Sequence, residues 1–342
     1  MNRVLLFIIL AFSFSSVSAK LKPEDLLIKL SDAQDFLRVK PSFSSKILKQ
    51  HLADIDQLTV TEQLTWLQSL LRSSIALNDL REVESTVRLM LAYPELEKQT
   101  DKFVSLLSSL GIFLRRTGHP HESILLFDCA LKQAITNEKQ KISLLISKGN
   151  SLSYLDKNEL AKDSYGDALK LSKQTDSKVF ISAIYNTLGI LAIKEQDYSL
   201  AREYLLEALQ LSQRISRRSG QIVAGLQLMM VAILDNDPAL YQKLHYRISR
   251  LTLASESESR HAYLYWIEKA YQVSQGKILS ALEQEELLQK LEQIKPLSIG
   301  YYNQLVDKLA KPLGIKRELV ILEYSTYQGD LLNHLDQCKA LK

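Results

Sequence analysis

Apolar residues along this chain recur three and four positions apart, the spacing of one buried helix face. Near the start, Leu26, Leu27, Leu30, Ala33, Phe36 and Leu37 make such a stripe, with Pro23-Glu24-Asp25 as a favourable first turn. Lys40-Pro41-Ser42 breaks the stripe, and Phe43, Ile47, Leu48 and Leu52 predict a second, shorter helix. Further on, a finer pattern lies over the helical one. Gly111, Gly149 and Gly189 stand 38 and 40 residues apart, and Ala130, Ala168 and Ala208 keep the same intervals. Leu107, Leu145 and Tyr185 precede the glycines, and Ser123, Ala161 and Ala201 follow them in register. Self-similarity at a fixed period predicts stacked helical hairpins, each burying its apolar face against the next.

Polar breaks sort these segments into pairs. Asn78-Asp79, Thr117-Gly118-His119-Pro120, Asp156-Lys157-Asn158, Glu195-Gln196-Asp197 and Asp235-Asn236-Asp237-Pro238 each read as a tight turn inside a hairpin. Thr61 to Leu91 is a degenerate first unit, closed by Tyr93-Pro94. Ser219 to Leu253 keeps the pattern loosely, with Gly225 expected in the glycine place. Tyr263 to Val273 and Ile278 to Ile294 form another pair around Gln275-Gly276. Past Lys295 the pattern changes, and a last helix through Leu335 is expected to seal the far end of the array.

Composition agrees. The chain has 342 residues, 46% hydrophobic and 24% charged, enough to bury a core. Only 11 Gly and 7 Pro leave little turn punctuation for sheets, which favours long helices with short connections. A net charge of +4 spread over such a length gives no concentrated basic face for nucleic acid.

The matched residues resemble the tetratricopeptide repeat, whose pattern runs large residue, Leu-Gly, large residue, Ala, aromatic, Ala. Tyr185, Leu188-Gly189, Ala201 and Ala208 follow it, as do Gly149, Ala161, Tyr165 and Ala168; Gly111, Phe127 and Ala130 follow it with Ser123 in the Ala place. The usual repeat has about 34 residues, so the period here resembles the longer-helix variants of kinesin light chains and MalT-type regulators. The close match spans about 100 residues and weaker units extend it to about 200. The resemblance implies an all-α, right-handed α-solenoid of about five to seven tetratricopeptide-like hairpins. Its expected divisions are a leader at 1–19, capping helices at 20–58, the repeat array at 59–255, and degenerate pairs with a closing helix at 256–342.

Residues 1–19 have a different character. Arg3, the apolar run Val4 to Val17, and Val17-Ser18-Ala19 read as a secretory signal peptide cleaved after Ala19. The run is too short for a spanning helix of about 20 apolar residues, and no second such span follows. A periplasmic or secreted, bacterial chain is therefore expected. Cys129 and Cys338 are the only cysteines, far apart along the expected array, and two unpaired thiols are expected of them.

Little in the chain suggests catalysis. His119-Pro120-His121 has only Glu122 at ligand spacing and reads as a turn rather than a metal site. No nucleophile elbow and no glycine-rich phosphate loop is present. No enzyme activity, metal or cofactor is expected. Arg214, Arg217, Arg218, Lys243, Arg247 and Arg250 make a basic cluster on neighbouring helices, expected to be ordinary solvated surface.

In tetratricopeptide arrays the first helix of each unit lines a concave groove. That resemblance implies groove positions at Ser108, Ile112 and Arg115, at Ile146, Asn150 and Ser153, and at Asn186, Ile190 and Ile193, with Arg116, Tyr154 and Lys194 beside them. Asn amides pair with an extended peptide backbone, and Arg takes carboxylates bidentately. Arg115, Arg116, Asn150, Tyr154, Asn186, Ile190 and Lys194 are the candidate partner-binding set. The carboxylate-clamp pattern is incomplete, because Ile146 stands where Lys is needed. The expected function is a non-catalytic scaffold for a protein or peptide partner. A ligand-sensing module acting on a membrane signalling protein, and a component of envelope polysaccharide or secretion machinery, are the alternatives.

Overall fold

A computed structural model describes residues 20–37, 39–134, 137–294, 299–319, 327–334 and Cys338. The leader expected over 1–19 and the end of the expected closing helix lie outside the described residues. Among the described residues the chain is all-α. Helices α1 (Pro23–Phe36) and α2 (Pro41–Gln50) form the first hairpin. The following units pair α3 (Val60–Leu77) with α4 (Leu80–Leu91), α5 (Thr100–Arg116) with α6 (Pro120–Gln133), and α7 (Glu138–Tyr154) with α8 (Asn158–Gln174). Next come α9 (Lys178–Lys194) with α10 (Tyr198–Arg214), α11 (Arg218–Leu234) with α12 (Pro238–Leu253), and α13 (Glu258–Ser274) with α14 (Ala281–Ile294). A short α15 (Ile299–Leu305) runs into a π-helical turn, Val306–Ala310. The chain is a helical-repeat solenoid. No helix among the described residues is long and apolar enough to cross a membrane.

The turns repeat one device. Asn78, Gly118, Asp156, Gln196, Asn236 and Gly276 all take positive φ, between 52° and 94°, just past the first helix of their unit. One left-handed residue ends a helix by returning its last carbonyls to backbone N–H groups. The next helix then starts at once: the Asp79, Asp197 and Asp237 carboxylates accept the N–H groups of Glu82, Leu200 and Leu240 at 3.2, 3.0 and 2.9 Å. Pro120 and Pro238 begin their helices without a wasted donor.

Within each unit the two helices meet at the glycines. A methyl group on Gly111 would strike the Phe127 ring, on Gly149 the Tyr165 ring, and on Gly189 the Leu205 side chain. Removing the side chain on one helix makes room for a large one on the other. Gly225 does not take the same place. It lies 40 residues after Tyr185, in the large-residue register, and faces Ile248, which lies 40 after Ala208 in the small-residue register. Large and small have exchanged helices, so the crossing stays closely packed.

Two features depart from a straight array. Ser42, on α2, donates to the Glu256 carboxylate at 2.8 and 3.0 Å, so the first hairpin reaches the turn between α12 and α13. The tail also turns back instead of sealing the far end. The Tyr327 N–H donates to Glu122 at 3.0 Å, and its ring packs edge-on against His119. Asp330 pairs with Arg88 at 2.8 Å, and Leu331 is fully buried in the N-terminal core. Cys338 forms a disulfide with Cys129 across 209 residues, with Cα atoms 5.5 Å apart. The expectation of unpaired thiols is therefore corrected. Distance along the sequence suggests opposite ends, but the returning tail lays Cys338 on α6.

Two stability measurements check this packing. Gly149→Ala is expected to destabilise by about 1–3 kcal/mol, since Tyr165 is 2% exposed and has nowhere to move; a melting curve equal to the parent would refute the crossing. Cys338→Ser is expected to cost about 2–5 kcal/mol, because the bridge closes a very long loop in the unfolded chain. Equal denaturation midpoints for parent and variant would show that the bridge carries no such load.

Candidate functional site

First helices touch the next first helices along the array, α3 with α5, α5 with α7, α7 with α9, α9 with α11 and α11 with α13. Second helices share no comparable contacts. The first helices therefore crowd the inside of the curve, and their outward-turned residues form a concave face.

At its centre stand two adjacent arginines near the end of α5. The Arg115 guanidinium lies over the Tyr154 ring at 5.1 Å from its centroid, and its Nε is buried without a hydrogen-bond partner. Arg116 donates to the Ile75 carbonyl of α3 at 2.9 Å. Burial, and then the neighbouring Arg115 charge, push Arg116 down to about 10. No carboxylate forms an ion pair with either arginine among the described residues. Asn150 on α7 accepts from the Tyr165 hydroxyl at 2.8 Å. Burial raises the Tyr165 hydroxyl pKa, keeping it a neutral donor. Asn186 on α9 has its amide oxygen buried and unpartnered. Ile190 is half-buried one turn further along α9.

Arg115, Arg116, Asn150 and Tyr154 thus gather on α5 and α7, with Asn186 and Ile190 on the next first helix. Lys194 does not join them: it is exposed, donates to the Ser153 carbonyl at 2.6 Å, and pairs with Asp156 at 2.6 Å. It repeats the reach of Arg116 two units earlier, since each cation meets the last turn of the preceding first helix. Positive charge at a helix C-terminus is favourable there. Ile193 is buried in the core.

The sequence pattern missed a polar cluster at the far end of the array: Tyr301 and Gln304 of α15 meet Gln227 of α11 and Tyr263 of α13, both buried. They lie outside the repeat period, and no spacing rule points to them. Elsewhere, no cluster of three or more metal-ligating side chains occurs among the described residues. In the basic cluster, Arg247 donates to Gln221 at 2.9 Å and Arg250 lies over Tyr246.

No family model and no curated protein matches the sequence. Among solved structures, the chain is similar to a Rap protein complexed with competence and sporulation factor. The TM-score is 0.57 and identity 14%, over 85% of this chain and 92% of that one. BtubC (BKLC) from P. vanneervenii gives a TM-score of 0.47 and 22% identity, over 67% of this chain and 91% of that one. These neighbours are tetratricopeptide-like helical-repeat proteins, and the likeness is one of fold.

A buried cation without a counter-ion costs stability. Arg116→Met is therefore expected to leave the melting temperature unchanged or raise it, by up to about 2 kcal/mol in stability, despite losing the bond to Ile75. A loss of that size instead would make Arg116 a structural cap.

Proposed function

We propose that this chain is a non-catalytic interaction scaffold that binds a peptide segment of a protein partner on its concave face, through the partner's carboxylate. The observation that carries this reading is the arginine pair, held inside the curve with no carboxylate paired to it among the described residues. Arg115 Nε and the Asn186 amide oxygen are each buried with no hydrogen-bond partner among the described residues. An arginine donor on α5 and an amide acceptor on α9, with α7 between them, suit an extended peptide end: the donor takes the carboxylate, and the acceptor takes a backbone N–H. In this reading the array is a long-period tetratricopeptide solenoid, and its first helices carry recognition while its small residues carry packing.

We place the scaffold in the cell envelope or outside the cell. The leader-like pattern at 1–19 motivates this, and the Cys129–Cys338 bridge supports it, because structural disulfides persist in oxidising compartments. A second reading is a peptide-sensing regulatory module. It draws on the fold likeness to a Rap protein solved with competence and sporulation factor.

The test is a peptide library displayed with free and with amidated C-termini. Free-acid peptides are expected to be selected, and Arg115→Gln with Asn186→Ala is expected to weaken them by about tenfold or more at unchanged helical content. Equal binding of free and amidated peptides would sink the carboxylate reading. So would an unaltered affinity in the double variant.

A further inference from the structure

Helices α11 and α12 carry cations but no acid. Between Glu207 and Asp235, and again between Asp237 and Glu256, the sequence holds no Asp or Glu, while Arg214, Arg217, Arg218, Lys243, Arg247 and Arg250 fall inside those stretches. Gln221 joins the elements that bear them. Its amide donates to the Ser212 carbonyl at the end of α10 at 3.4 Å and accepts from Arg247 of α12 at 2.9 Å. The end of α10, the start of α11 and the outer side of α12 therefore make one surface, at the edge where one hairpin passes to the next. Arg214, Arg218, Lys243, Arg247 and Arg250 are exposed there, and none of them forms an ion pair among the described residues. The acids that come nearest are engaged by other groups: Glu256 accepts from Ser42, and Glu268 is bound by His245 and Ser249.

Local stability explains only part of this charge. Arg214 and Arg250 lie in the last turns of their helices, where a cation suits the dipole. Arg218 opens α11, where positive charge opposes the dipole and no acid of the first turn offsets it. Elsewhere in the array cations are matched, Lys162 with Glu195 and Arg202 with Asp235 and Asp237. The company these cations keep narrows the anion they suit. Lys243, Tyr246, Arg247, Arg250 and Leu253 follow at helical spacing along one exposed stripe of α12. Tyr246 is 72% exposed and Leu253 63%, and Arg250 lies over the Tyr246 ring and donates to its hydroxyl at 3.2 Å. A soluble polyanion would leave Leu253 in water. An anionic bilayer takes all three kinds of group: phosphates meet the cations, the headgroup boundary takes the tyrosine ring, and the leucine reaches the acyl edge. The opposite face of α12, with Tyr241, Leu244 and Ile248, is committed to the core, so the contact is peripheral.

We propose that this edge is a membrane-contact surface, which lays the outer stripe of α12, with Arg214 and Arg218 beside it, on an anionic lipid bilayer. It is a second surface, apart from the concave face, and does not rest on the scaffold reading.

The experiment is co-sedimentation of the full, disulfide-bonded chain with vesicles of pure phosphatidylcholine, or of equal parts phosphatidylcholine and phosphatidylglycerol. Sedimentation is expected with the anionic vesicles alone, and is expected to fall as salt rises. Each cation at an anionic surface strengthens partitioning about fivefold, so Arg218→Gln with Arg247→Gln and Arg250→Gln is expected to weaken it by about thirtyfold or more. Lys22→Gln with Lys132→Gln and Lys139→Gln removes the same charge from exposed places elsewhere and is expected to weaken it far less. Leu253→Ser, which alters no charge, is expected to weaken vesicle binding several-fold. All these side chains are exposed, and unchanged helical content confirms that the variants fold. Failure to sediment with anionic vesicles overturns the proposal, as does an equal loss in the two triple variants. Soluble polyglutamate serves as the competing probe. If it binds the parent and is lost in the first triple variant, while Leu253→Ser leaves vesicle binding unchanged, the edge docks an acidic protein and the membrane reading falls.

Discussion

Everything in this array depends on how closely two helices of one hairpin can approach. At the crossing, one helix gives up its side chain and the other fills the gap with a ring or a branched chain. Gly111 with Phe127, Gly149 with Tyr165 and Gly189 with Leu205 are the same solution three times. Gly225 with Ile248 is the mirrored solution. What is constrained is the sum of the two volumes, and the unit tolerates exchanging which helix supplies the larger part. Because each hairpin is thin at its crossing, the first helices of successive units can touch. Their crowding curves the array and makes an inside.

The regular part of this design was legible in the residues. Small residues at intervals of 38 and 40 mark the crossings, and the turn residues recur in step because every hairpin needs one left-handed residue and a prompt new N-cap. The helix pairs and their turns follow from local chemistry that a single sequence carries. Gly225 is instructive about the limit of that reading. A glycine alone looks like the glycine of the repeat, but its interval from Gly189 is 36, and only the partner across the crossing reveals its place.

The ends were not legible, because they are fixed by curvature. A small rotation per unit brings Ser42 to Glu256, and no pair of residues in the sequence announces that meeting. The same holds for the tail. Leu331 and Cys338 are unremarkable in a sequence window, and their partners on the N-terminal half become neighbours only after the intervening chain has coiled. Of the candidate site, the first-helix residues Arg115, Arg116, Asn150 and Asn186 could be named from their register. Lys194 shares the register of Arg116 but meets solvent and Asp156, so register alone did not separate a buried cation from an exposed one. Tyr301 and Gln304 belong to no repeat and had no register to betray them.

Curvature also explains why charge on the inside differs from charge on the outside. Lys162 with Glu195, and Arg202 with Asp235 and Asp237, tie neighbouring units together on the outer turns, where water screens them and each pair contributes little. Arg115 and Arg116 stand where the first helices converge, largely withdrawn from solvent and with no carboxylate paired to them among the described residues. Selection for stability alone would favour apolar residues at such places, since a buried charge is costly until something of opposite sign arrives. The chain instead keeps them, Arg115 over the Tyr154 ring and Arg116 on the Ile75 carbonyl, a choice that is hard to account for in a purely packed core.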